Sequence, residues 1–222
     1  MPRVSDEYYE NKRKEIIDAA YRVCLKKPVT SIEMKDVINE TGFSHGVIYR
    51  YYNDLDEVLH DLVVRINSEN NLEERLKKIL NSGKPWEKVI REMCRMLAEH
   101  MINEGIEKLK ISEYADMLAM SQPDRVIKIV SRLNSKAPSP LIILEALLGD
   151  YLKKVKKEEK LHPVKKADEI LQFIIVTYHG IQTGYILSEC YPLPGMTNRY
   201  RPEDMFSCLA DSVIHMMRGE EK

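Results

Sequence analysis

Gly42-Phe43-Ser44-His45-Gly46-Val47-Ile48-Tyr49-Arg50-Tyr51-Tyr52 is the most informative run of residues in the chain. Gly42 closes an apolar-periodic run and supplies the left-handed backbone that ends a helix without a Cβ penalty. Ser44 is a preferred N-cap for the helix that follows. Ile48 and Tyr52 are four apart, so they share one face and anchor that helix to a core. His45, Gly46, Val47, Tyr49 and Arg50 are left to project outward. A buried helix this short would not spend so many positions on polar residues and glycine, whereas a helix lying in a groove would. Upstream, Met34-Lys35-Asp36-Val37-Ile38-Asn39-Glu40 is a second short helical pattern. Two short helices joined by a glycine-containing turn are the signature of a helix-turn-helix, whose second helix enters the major groove of DNA.

The flanks extend this reading. Residues 7–26 are expected as a first helix, with Ile16, Ala20, Val23 and Cys24 on its apolar face, Lys12, Arg13 and Lys14 on its outer face, and Pro28 as its stop. The second helix is expected from Ile32 to Glu40, and the third over 44–51. Asp54 and Glu57 suit a capping box for a fourth helix, whose stripe is Val58, Leu59, Leu62, Val63 and Ile66.

Residues 10–70 resemble the TetR family of transcriptional regulators. The likeness is carried by Met34-Lys35-Asp36-Val37, the Gly42-Phe43-Ser44 turn, Gly46-Val47-Ile48-Tyr49, and Tyr51-Tyr52 followed by Asp54-Leu55-Asp56-Glu57. The chain departs from the family at two places. Ile32 and Glu33 stand where members often carry threonines, and Leu55 stands where many carry a phosphate-reaching lysine. The resemblance implies an all-α fold, with an N-terminal three-helix helix-turn-helix domain over 10–70. A C-terminal helical effector-binding and dimerisation domain would cover 71–222. It also implies a homodimer on a palindromic double-stranded DNA operator, repression as the usual outcome, and release by a small molecule.

Geometry and resemblance together assign DNA contact to seven residues. His45, Gly46, Val47 and Arg50 are expected to face bases. Tyr49, Tyr51 and the amides at Ser44 are better placed for phosphates.

Composition sets the other bounds. A chain of 222 residues has room for two cores. Its formal net charge is −1 and its pI about 6.6, and residues 1–65 are slightly acidic. DNA binding must therefore come from a local donor surface, doubled in a dimer, and not from bulk positive charge. An adaptor or ligand-binding protein without operator-specific DNA binding is the alternative that this charge keeps open.

The four cysteines, Cys24, Cys94, Cys190 and Cys208, form no Cys-x-x-Cys pair. They suggest neither a disulfide framework nor a metal site, and a redox-sensing thiol is the functional alternative. The six histidines are dispersed, and no phosphate loop or nucleophile elbow occurs, so catalysis is not expected and no cofactor is implied. Neither an apolar leader nor an apolar run of bilayer length is read, so a soluble, cytoplasmic protein without membrane contact is expected.

The remainder of the chain reads as five or six helices. Breaks fall near Pro85, Gly105, Pro123, 136–140, Pro163 and 192–195. Pro85, Pro123, Pro140, Pro163 and Pro202 suit helix starts. Residues 164–190 carry Gly180, Gly184 and Ser188 four apart, and 202–218 carry Met205, Leu209, Val213, Met216 and Met217. These two segments are the expected dimer helices. Of the eleven methionines, Met93, Met96, Met101, Met117 and Met120 cluster in the middle helices. Met93, Met96 and Met117, with Trp86, Tyr114 and Tyr178, are candidates to line a pocket for a hydrophobic or aromatic effector. Plain core is the other reading of the same stripe.

Overall fold

The computed structural model describes residues 6–69, 71–131, 139–190 and 200–219. The breaks expected around 136–138 and 192–195 lie outside the described residues. The described elements are α1 (Asp6–Lys26), a 3-10 turn (Val29–Ser31), α2 (Met34–Thr41), α3 (His45–Ile48), α4 (Leu55–Ser68) and α5 (Leu72–Leu80). They continue with α6 (Trp86–Glu104), α7 (Ile106–Ser121), α8 (Pro123–Ser131), α9 (Pro140–Glu158), α10 (Ala167–Cys190) and α11 (Pro202–Arg218). Among the described residues the fold is all-α. Among the described residues seven helices follow α4, where five or six were expected, and the expected breaks at Gly105 and Pro123 separate α6, α7 and α8.

Local chemistry explains most boundaries. Pro28 follows α1, and Pro123, Pro140 and Pro202 open α8, α9 and α11. Pro85 is the N-cap of α6. Pro163 opens nothing, since α10 starts at Ala167. Helix α2 starts two residues later than expected. Ile32 is extended and buried, and Glu33 caps the helix in a reciprocal box with Asp36. Gly42 ends it at φ 70°, ψ 8°, a conformation that glycine adopts at no steric cost. Asp54 accepts from the Glu57 amide at 2.9 Å. The Glu57 carboxylate in return accepts from the Asn53 amide at 2.8 Å, one residue before the cap.

The chain forms two compact units. The first joins residues 1–69 to 110–137, and the second joins 70–109 to 138–222. Residues 110–131, expected beyond a boundary at residue 70, thus belong with the N-terminal helices. Leu118 of α7 and Ile129 of α8 enter the same core as Ile16, Val37, Ile48, Tyr52, Val58 and Leu62. Arg125 of α8 donates to Asp56 of α4 at 2.7 Å, and the His60 ring meets the Ile129 carbonyl at 3.2 Å. The core of the second unit draws on Leu72 and Leu76 of α5, Met93 and Leu97 of α6, Leu144 and Leu148 of α9, Ile174 of α10, and Phe206 and Val213 of α11. Its most extensive helix pair is α6 with α11, tied at the surface by Arg91–Asp211 at 2.5 Å and Arg218–Glu87 at 3.2 Å.

Helix α10 corrects one expectation. By length and composition it is apolar enough to cross a membrane, with a mean hydropathy of 1.2 over its best window. No continuous apolar run reveals this, because Thr177, His179, Gln182 and Thr183 interrupt the sequence. A core helix passes the same test, and Ile170, Leu171, Ile174, Tyr178, Ile181 and Ile186 are buried in the second core.

Cys24 and Cys94 are buried, and burial pushes both thiols up to about 12, whereas Cys190 and Cys208 are exposed. A thiol reagent at about pH 8 is therefore expected to leave Cys24 and Cys94 unmodified until the chain unfolds. Mass-mapped labelling in native buffer and in urea checks this. Modification of Cys24 or Cys94 faster than unfolding would contradict their placement.

Candidate DNA-binding surface

Helix α3 is a single turn. Its backbone continues past Ile48 as a turn in which Tyr51 and Tyr52 both donate to the Ile48 carbonyl, at 2.9 and 3.1 Å. Four residues are too few for a helix to hold itself in water. What orients α3 is therefore its anchoring. Ile48 is fully buried and Tyr52 nearly so. The Tyr52 hydroxyl donates to Asp61 of α4 at 2.9 Å. The same Asp61 oxygen accepts from Arg13 of α1, and the Arg13 guanidinium lies 4.7 Å from the centre of the Tyr52 ring. Burial and the Asp61 charge push the Tyr52 phenol well above its ordinary range, so it stays a donor. One shared carboxylate thus joins α1, α4 and the end of the α3 turn. Arg13, expected on the outer face of α1, belongs to this network.

With that side fixed, the other side faces out. Ser44, His45, Gly46, Tyr49 and Arg50 are exposed, and Val47 is half-buried. The His45 and Tyr49 rings lie nearly parallel with centroids 6.4 Å apart. A Cβ placed on Gly46 would meet no atom within 4 Å, so no internal contact requires glycine there. Ser44 holds the N-cap position with extended backbone, but its side chain makes no capping bond. Tyr51, expected at a phosphate, is half-buried against the first core, with its ring centroid 4.6 Å from that of Tyr9. Leu55 also packs against this core.

The candidate effector residues divide between the two units. Trp86, Met93, Met96 and Tyr178 are buried in the second core, where Tyr178 meets Phe206 edge-on at 5.9 Å. Tyr114 packs against the core of the first unit, and Met117 is exposed on the part of α7 that belongs to that unit. Sequence neighbourhood suggested a common location, but α7 passes from one unit to the other after Leu109.

Sequence reasoning missed Tyr9, Lys12, Arg13 and Asp61 as supports of the turn. Tyr9 and Arg50 are 41 residues apart, and Arg13 and Asp61 are 48 apart, so no local signal joins them.

No family model matches the chain. Over 82 residues it is 33% identical to the HTH-type transcriptional regulator YfiR of Bacillus subtilis (strain 168). That match covers 37% of this chain and 38% of the relative's own length. Among solved structures it is similar to native NalD, the secondary repressor of a multidrug efflux pump in Pseudomonas aeruginosa. The identity is 13%, the TM-score 0.64, and the coverage 96% of this chain and 100% of that one. It is also similar to Thermus thermophilus FadR, a TetR-family transcriptional repressor solved with lauroyl-CoA. There the identity is 18%, the TM-score 0.56, and the coverage 95% and 97%. The helix order, the Gly42 turn and these likenesses together show that the chain has the fold of TetR-family transcriptional regulators, with 82 residues similar in sequence to an HTH-type regulator.

Proposed function

We propose that the protein is a homodimeric DNA-binding transcriptional regulator, a repressor that leaves a palindromic operator when a small hydrophobic or aromatic effector binds. One observation carries this reading. The α3 turn is locked from behind by Ile48 and Tyr52, while His45, Gly46, Tyr49 and Arg50 stand exposed. Arg50 suits guanine and Val47 a thymine methyl, and Tyr49 and the amides at Ser44 suit phosphates. A dimer would place two such turns one helical turn of DNA apart, about 34–36 Å.

The dimer is assigned to α10 and α11. Phe173, Val176 and Leu187 on α10 and Met205 on α11 are large apolar side chains that stand exposed in the single chain. Phe173, Val176, Gly180 and Leu187 recur at near-heptad spacing, as a helix seam requires. Gly180 has open space beside it, whereas the expected notch at Gly184 is filled by the Tyr200 ring of the same chain, which comes within 2.8 Å of where a Cβ would stand. The effector is assigned to the second unit, where Trp86, Met93, Met96 and Tyr178 provide apolar, adaptable walls. Lauroyl-CoA bound to a protein of this fold supports an apolar effector. Release requires the effector to bind more weakly when operator is present.

Selection of the purified chain on random duplexes at two salt concentrations tests the proposal. Enrichment of a palindrome with half-sites about one turn apart is expected. Weak binding that salt erases would favour the adaptor reading. Arg50→Ala is expected to weaken binding to the selected operator by about ten-fold or more. It should change binding to a scrambled duplex much less. An equal fall on both duplexes, measured by fluorescence anisotropy, would make Arg50 a phosphate contact.

A further inference from the structure

The N-terminal half of α1 grips both ends of the α3 turn. Ahead of α3, the Lys12 ammonium lies 4.5 Å from the centre of the Phe43 ring and is held by Glu15 at 2.8 Å. Beyond α3, the Tyr9 hydroxyl donates to the Arg50 carbonyl at 3.1 Å, and the Tyr9 ring lies against Tyr51. The carbonyls that end a helix have no partner within it. In α3 those of His45, Val47 and Ile48 accept from the amides of Tyr49, Arg50 and Tyr51 in the turn that follows, whereas the carbonyl of Arg50, two residues past the helix, accepts from the Tyr9 hydroxyl.

We propose that Tyr9 is a positioning residue for Arg50: its hydroxyl fixes the peptide from which the arginine side chain departs, and so sets the direction in which that side chain enters the groove. This rests on the reading that α3 contacts DNA. Tyr9 is 40% exposed, so its phenol exchanges one hydrogen bond for another with water, and its loss should hardly register in folding stability. A side chain placed some 1 Å off its target loses most of a directional contact, so the loss should register in operator preference.

Tyr9→Phe keeps the ring against Tyr51 and removes only the hydroxyl. The experiment compares full-length wild type, Tyr9→Phe, Arg50→Ala and the double variant on the selected operator and on a scrambled duplex of equal length, with thermal unfolding in parallel. Tyr9→Phe is expected to weaken operator binding about five-fold, the size of one net hydrogen bond, with scrambled binding and Tm unchanged. In the double variant the Tyr9→Phe effect should vanish, because a positioning residue has nothing left to position. Full additivity with Arg50→Ala, or an equal fall on both duplexes, would overturn the positioning role. A lowered Tm with the operator-to-scrambled ratio intact would make Tyr9 a purely structural residue. Wild type without operator preference would instead remove the DNA reading itself, and this role with it.

Discussion

Gly46→Asp is expected to abolish operator binding, by roughly 100-fold or more, while leaving the fold intact or slightly stabilised. The two effects have opposite signs for separate reasons. Within the chain, a side chain at Gly46 has open space. Glycine is a poor helix residue, and an acidic group two positions after the Ser44 N-cap sits favourably in the field of the helix N-terminus. Thermal unfolding should therefore show no loss. On the proposed reading the backbone at Gly46 approaches the duplex, so a carboxylate there would face phosphates, and like charges brought together across an interface cost several kcal/mol. Anisotropy titration with the selected operator reads this directly. Retained binding would mean that α3 does not approach DNA at Gly46, and a large drop in Tm would mean that the glycine serves the fold.

Tyr52→Ala is expected to destabilise the chain by about 3–5 kcal/mol, the range for removing a large buried aromatic side chain. Tyr52 is 1% exposed and joins Asp61 to the α3 turn. Its removal leaves both a cavity and a carboxylate with one partner fewer. Tyr52→Phe separates these contributions. It keeps the ring beneath Arg13 and loses only the hydrogen bond, so a cost of about 1.5–3 kcal/mol is expected for a bond to a charged acceptor. Urea unfolding of the three proteins, compared at equal slope, provides the measurement. A cost under about 1 kcal/mol for Tyr52→Ala would show that the turn is held by Ile48 alone.

Helix starts and stops were legible in the sequence wherever a few consecutive residues decide them. Gly42 takes the left-handed conformation, Asp54 caps α4, and prolines open α8, α9 and α11. The face of α3 was legible for the same reason: Ile48 and Tyr52 share one side of a turn, so the exposure of His45, Gly46 and Arg50 follows from helical geometry. Where α2 starts was less legible. Ile32 is apolar enough to extend the pattern, but a 3-10 turn and the Glu33–Asp36 box delay the helix.

By itself, then, the sequence determined the helical class, the helix-turn-helix and the outward residues of its second helix, because backbone propensity, capping and side-chain periodicity act within about one turn of chain. Which apolar faces meet was settled by the packing of the helices. It joined α8 and most of α7 to the first unit, buried Trp86, Met93, Met96 and Tyr178 in the core of the second, packed Tyr114 against the core of the first, and filled the Gly184 notch with Tyr200. It also brought Tyr9 to Arg50, and Arg13 to Asp61 and Tyr52. An apolar stripe states that a surface will be buried but not against what, since burial is non-directional. Contacts made across forty residues depend on the packing of whole helices, which no local pattern records.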